Sequence, residues 1–198
     1  MSTSSSLIIF FHGIGASGAQ LMPLATDWRE RLTGARFEAP DAPFSHPYGH
    51  QWFRVDANPM AADNIRCARD GFDRTVAEII KRHDFNDRHD RVAFVGVSQG
   101  AIVALDAVAT GRWQVGALVS FAGLLAPMPI SHQSKQTKVL LVHGKDDRTI
   151  PSMASSMAAS QLKRAGFAVD LEIMPAIGHT IAPAGAERAL DFLQTSLG

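Results

Sequence analysis

Cysteine is almost missing from this chain of 198 residues, Cys67 being the only one. No internal disulfide framework can form, and a lone thiol fits a reducing compartment. Neither sign of charge is in excess: 19 Lys and Arg stand against 19 Asp and Glu, with no run of like charges. That balance leaves no electrostatic footprint for nucleic acid or an anionic membrane surface, so small neutral molecules are the expected partners. Long hydrophobic runs are absent too. The apolar stretch at 7–11 is far too short for a signal h-region or a membrane span, and residues 1–6 before it lack a basic side chain. A soluble cytoplasmic protein without integral membrane association is expected. With no repeat, low-complexity stretch or linker, residues 1–198 are expected to form one domain, which at this size buries roughly 70% of the unfolded chain's surface.

What is present is an alternation of apolar runs and helical patterns. Strands are expected at 7–11, 36–39, 91–97, 116–121, 138–142 and 169–174. Most are apolar throughout, as strands buried on both faces are, so the fold class is α/β: a mostly parallel sheet of about six strands with helices on both faces. Helices fit 20–32, 63–83, 101–109, 152–165 and 184–197. The clearest is 63–83, where Ile65, Ala68, Phe72, Val76, Ile79 and Ile80 recur at three- and four-residue spacing. The stretch 40–59 holds four prolines and reads as a loop, but its aromatic residues argue against disorder.

Gly96-Val97-Ser98-Gln99-Gly100 falls between the strand at 91–97 and the helix at 101–109. A Gly-x-Ser-x-Gly turn at a strand-to-helix junction holds a serine hydroxyl out from the sheet, and the flanking glycines let the sharp turn close. By chance alone such a pentapeptide arises about 5% of the time in a chain this long, so its context has to decide.

Parallel sheets present ligands at the carboxyl ends of their strands. There the chain places His12-Gly13-Ile14-Gly15, then Ser98-Gln99, then His143-Gly144-Lys145-Asp146-Asp147, then Gly178-His179. Serine, acid and histidine follow in the order associated with α/β-hydrolases. A serine hydroxyl needs a histidine base, and the base needs a carboxylate on its far side. His179 is the only histidine after the acid. Negative charge developing on a tetrahedral intermediate calls for backbone donors. We assign them to Ile14, in the glycine-rich loop, and to Gln99, whose side chain is expected to tolerate substitution better than Ser98.

On these residues the chain resembles the small bacterial carboxylesterase and phospholipase family of α/β-hydrolases, relatives of the acyl-protein thioesterases and, more distantly, of dienelactone hydrolases. The resemblance runs through His12-Gly13-Ile14-Gly15, Gln51-Trp52-Phe53, Gly96-Val97-Ser98-Gln99-Gly100-Ala101, His143-Gly144-Lys145-Asp146-Asp147, Ile150-Pro151 and Gly178-His179. It implies an α/β-hydrolase fold and a triad acid at the fifth position of His-Gly-x-x-Asp, which is Asp147, with Asp146 one residue short and left as the alternative. It implies no cofactor and no metal, and family members often pair as homodimers. The first antiparallel strands of larger relatives are expected to be missing, and serine stands where dienelactone hydrolases use cysteine.

Other positions have plainer readings. His143 reads as a structural turn residue, Cys67 as a small buried thiol, and Asp106 as a surface or salt-bridging group. His132 follows a proline-rich turn. Trp52 and Phe53 are expected to wall a substrate groove, and Leu124, Leu125 and Met128 to line an acyl or alcohol pocket. The function expected is hydrolysis of small to medium carboxylic esters through an acyl-enzyme. A thioesterase or lysophospholipase is the alternative within that chemistry, so the partner is a small-molecule ester or thioester. A non-catalytic binding protein on the same fold is the alternative outside it.

Overall fold

Along β1 (Ser6–Phe11), Leu7, Ile9 and Phe11 face one side of the sheet and Ile8 and Phe10 the other, and all five are fully buried. That burial follows from the period-two geometry of a strand covered on both faces. The computed structural model describes residues 6–55, 58, 61–130 and 136–198. Residues 1–5, Pro59 and His132 lie outside the described residues.

The other sheet strands are β2 (Ala35–Glu38), β5 (Val92–Val97), β6 (Ala117–Phe121), β7 (Lys138–Gly144) and β8 (Ala168–Met174). They run in the order β2-β1-β5-β6-β7-β8, and every pairing is parallel. Each apolar run read from the sequence forms its strand within two residues at either end.

Helices cover both faces. Against Ile8, Phe10, Val95 and Val119 pack α1 (Met22–Trp28) and α5 (Pro183–Leu197), through Ala25, Trp28, Leu190 and Leu193. Against Leu7, Ile9, Phe94 and Leu141 pack α2 (Ala62–His83), α3 (Gln99–Ala109) and α4 (Met153–Arg164). The apolar stripe of α2 meets this face through Phe72, Val76, Ile79 and Ile80. Among the described residues no helix is long and apolar enough to cross a membrane.

Two expectations need correction. The stretch 40–59 holds a short antiparallel hairpin, β3 (Phe44–His46) and β4 (Gly49–Gln51), whose strands are too brief to register as an alternating pattern. The helix expected at 20–32 is a 3-10 turn, Gly18–Leu21, followed by the short α1, because the chain turns after Trp28 toward Gly34 at φ 79°.

The strand order positions the site. From β1 the chain moves outward to β2, then returns to pair β5 on the other side of β1. This reversal opens a crevice at the carboxyl ends of β1 and β5, the ligand position in open α/β sheets.

Candidate active site

Ser98 follows β5 and caps α3 with φ 52° and ψ −117°, a conformation most side chains avoid. Its neighbours explain how the turn closes. A Cβ on Gly96 would sit 2.5 Å from Ala101 Cα, and one on Gly100 would sit 2.1 Å from the Phe11 carbonyl oxygen. Only glycine lets α3 start this close to β1 and β5. The turn is fixed by Ser98 N–H donating to the Phe121 carbonyl at 2.9 Å and by Ile102 N–H donating to Ser98 at 3.0 Å.

Asp147 and His179 follow β7 and β8. Their loops are stitched together: Lys145 N–H donates to Met174 at 2.8 Å and Asp146 N–H to Ile177 at 2.9 Å. Gly144 permits this contact, since a Cβ there would lie 2.3 Å from the carbonyl oxygens of Ile177 and Gly178. His179 Nδ1 consequently meets Asp147 Oδ2 at 2.6 Å, and His179 Nε2 meets Ser98 Oγ at 2.9 Å. A carboxylate only accepts, so Nδ1 carries the ring proton and the serine hydroxyl donates to Nε2.

The other oxygen of Asp147, Oδ1, accepts the N–H groups of Thr149 at 2.8 Å and Ile150 at 3.0 Å. Burial acts to raise the Asp147 carboxyl, but the hydrogen bonds from His179, Ile150 and Thr149 outweigh it and hold the group below the usual carboxylate range. Asp146 is exposed and contributes its backbone N–H to the stitching of the loops.

The loop after β1 passes over the serine. Gly13 lies so close that a Cβ there would be 3.4 Å from Ser98 Cβ. Ile14 is 39% exposed, and its N–H makes no hydrogen bond among the described residues. Gln99 opens α3, where a first-turn N–H has no acceptor within the helix. The loop is pinned by β4 through Gly15 N–H to His50 at 2.8 Å and His50 N–H to Ala16 at 2.9 Å. Beneath it His12 is buried, its Nε2 accepting Ala42 N–H at 3.0 Å and its Nδ1 donating to Gly13 at 2.7 Å. Burial pulls the His12 ring below the ordinary histidine value.

Trp52 does not wall a groove. It is 0% exposed, packs among Phe11 and Phe72, and donates from Nε1 to the His12 carbonyl at 3.0 Å. Position after a strand says nothing about which way a side chain turns, and this ring turns into the core. Gln99 is also corrected. Its buried carboxamide accepts Trp52 N–H at 2.7 Å and donates to the Phe53 carbonyl at 2.8 Å, so its side chain is structural and not a tolerant spacer. Cys67 is exposed, on the side of α2 away from the core.

Phe53, Leu124 and Met128 do share a cavity of about 250 Å³ with Ile65, Phe72 and Ile102. Leu125 does not line it and packs on the core instead. The cavity adjoins the serine turn, since Ile102 is bonded to Ser98 and Phe53 to Gln99. Its polar end holds Asp106, the salt-bridging group expected from the sequence, though its place beside a cavity was not foreseen. Asp106 there accepts Arg69 Nη2 at 2.7 Å and Nε at 2.9 Å, and Arg112 Nη1 at 2.9 Å. The spacing of Ser98, Ile102 and Asp106 along one face of α3 was a usable signal for this wall.

Residues 2–197 match the phospholipase/carboxylesterase family. The chain belongs to that family. It is 27% identical over 203 residues to esterase YpfH of Escherichia coli (strain K12), covering 98% of this chain and 84% of that one. To acyl-protein thioesterase 1 of Gibberella zeae it is 24% identical over 223 residues, covering 99% and 92%. The crystal structure of esterase PE8 superposes with a TM-score of 0.84 at 29% identity, over 98% of this chain and 94% of that one. Arabidopsis thaliana SOBER1 gives a TM-score of 0.83 at 24% identity, over 98% and 99% of the two chains, and shares the fold. The fold is that of the α/β-hydrolase esterases.

Proposed function

We propose that this protein is a serine carboxylesterase acting on small to medium, neutral, apolar carboxylic esters. The observation that carries the reading is the unbroken chain Asp147 Oδ2, His179, Ser98 Oγ, with links of 2.6 and 2.9 Å. In this reading Ser98 attacks the ester carbonyl while His179 takes its proton, and His179 then protonates the departing alcohol. Asp147 holds the tautomer and offsets the charge on the imidazolium. The backbone N–H groups of Ile14 and Gln99 face the oxyanion, each stabilising the intermediate by about 3 kcal/mol. Water activated by His179 hydrolyses the acyl-enzyme.

The acyl group fits the cavity beside the turn, whose walls Phe53, Ile102, Leu124 and Met128 are apolar. Thioesters are the second substrate class, supported by the likeness to an acyl-protein thioesterase over nearly the whole chain. A non-catalytic role is disfavoured because Ser98, His179 and Asp147 are all present and bonded to one another.

Turnover of nitrophenyl esters of increasing acyl length, set beside acyl thioesters, tests both the chemistry and the substrate. Activity on short and medium esters that disappears in Ser98→Ala is expected. Ile102→Trp, which fills the cavity, should leave acetate-ester turnover in place and depress that of longer esters. Ester turnover surviving in Ser98→Ala would overturn the mechanism, and a length profile unmoved by Ile102→Trp would overturn the acyl pocket.

A further inference from the structure

The turn carrying Asp147 is braced from behind by a second histidine, outside the chain of contacts that leads to Ser98. His143 belongs to β7, four residues before Asp147, and its side chain is fully buried. Its Nε2 lies 2.8 Å from the Ile150 carbonyl, and its Nδ1 lies 2.7 Å from Ser155 Oγ on α4. A carbonyl only accepts, so Nε2 carries a proton, while Ser155 Oγ bridges Nδ1 and the Gly123 carbonyl, the latter at 3.4 Å. The ring is thereby held in one orientation.

That same Nε2 is 3.2 Å from Asp147 Oδ2, the oxygen His179 meets at 2.6 Å. The contacts close a ring: His143 donates to the Ile150 carbonyl, Ile150 N–H donates to Asp147 Oδ1, and Asp147 Oδ2 lies beside His143 Nε2. Asp147 Oδ1 is thus fixed by the turn's backbone and Oδ2 by His179, with His143 Nε2 lying beside Oδ2. A residue needed only to fill space here would be apolar, since a buried polar ring is tolerated only with its partners in place.

We propose that His143 is a positioning residue for ester hydrolysis: it fixes the Asp147 carboxylate through the turn to Ile150 and tempers the negative charge that Oδ2 presents to His179. The role rests on the Ser98, His179 and Asp147 reading above. Among the described residues, His143 and His179 are the titratable side chains that meet the Asp147 carboxylate. Lys145, Asp146 and Arg148 on the same turn are exposed, β8 sets Ile173 opposite His143, and α4 contributes the uncharged Ser155.

The account is tested with His143→Phe and His143→Gln, compared in kcat, KM and the pH profile of kcat/KM. Phenylalanine keeps a ring but no N–H. The carboxylate then gains freedom to rotate, and more charge rests on Oδ2, which holds the His179 proton more firmly. A fall in kcat of about tenfold or more at little-changed KM is expected. The acidic limb of kcat/KM should move to higher pH. Glutamine returns a donor near the place of Nε2 and should restore most of kcat and bring the limb back.

A folded His143→Phe with kcat and acidic limb unchanged would overturn the proposal, as would a glutamine variant no better than phenylalanine. Should the phenylalanine variant fail to fold, Ser155→Ala frees Nδ1 with a smaller loss of packing. Lower kcat with a raised acidic limb then supports the role, and no change in either overturns it. Failure of the triad reading shows separately, as turnover surviving in Ser98→Ala.

Discussion

Gln99 ties Trp52 into the serine turn: one carboxamide accepts the Trp52 N–H at 2.7 Å and donates to the Phe53 carbonyl at 2.8 Å. That link joins the segment after the hairpin and the core indole to the residue offered as an oxyanion donor. Gln99→Ala leaves the buried Trp52 N–H and the part-buried Phe53 carbonyl unpaired and should lower unfolding free energy by about 1–3 kcal/mol. Urea denaturation measures it. Gln99→Glu, able to accept from Trp52 but not to donate to Phe53, should fall between alanine and the parent.

Two glycines near Ser98 should respond in opposite ways. Gly100→Ala places a methyl 2.1 Å from the Phe11 carbonyl oxygen, so the turn cannot close as it does and stability should drop by about 3 kcal/mol or more. Gly13→Ala places one 3.4 Å from Ser98 Cβ, an ordinary contact on a backbone that alanine can adopt. Its stability should change by less than about 1 kcal/mol. Its methyl, however, stands 4.0 Å from Ser98 Oγ, where a substrate carbonyl must approach. Thermal melts paired with ester kinetics separate the two effects.

The neighbouring acids should differ sharply. Asp147→Asn loses the charge facing His179 and the preference for the productive tautomer, so kcat should fall by about ten-thousandfold. Exposed Asp146, whose role in the loop is played by its backbone, should give a change of less than about twofold on conversion to Asn. Steady-state kinetics on one ester decides between them.

Stability should depend on pH through His12 and Asp147. His12 titrates below its ordinary 6.5 in the folded protein, chiefly through burial. As pH falls below about 6.5 the unfolded chain therefore binds a proton that the folded chain refuses, and stability declines, at most by about 1.4 kcal/mol per pH unit. His12→Gln should flatten this limb in urea midpoints measured between pH 7.5 and 5. Asp147 also titrates below its ordinary 3.8, so its contribution is full above that value and is lost as pH falls through the folded value.

Legibility in the sequence divided along physical lines. The four central strands β1, β5, β6 and β7 were readable because parallel strands buried on both faces are written as continuous apolar runs, while the edge strands β2 and β8 carry charged residues and are partly exposed. Ser98, Asp147 and His179 were readable because each sits at a strand end, in a motif with steric demands of its own. The β3–β4 hairpin was not, since three-residue strands carry no period. Trp52 and Gln99 were misjudged for a shared reason. Their partners lie 40 and 47 residues away in the chain, and only folding brings those groups together. His143 meets Asp147 within one turn, but Ser155, which orients its ring, arrives on α4. Phe53, Leu124 and Met128 were read as pocket residues and line the cavity, but its α2 side was hidden, because Ile65, Arg69 and Phe72 come from a distant part of the sequence.

The central claim is that Ser98 is the nucleophile. Incubation with a fluorophosphonate, followed by intact mass and peptide mapping, tests it most directly. The account predicts one covalent adduct per chain, on the peptide containing Ser98, and none in Ser98→Ala or after unfolding. An adduct on another residue, or labelling of Ser98→Ala at the parent's rate, would contradict it.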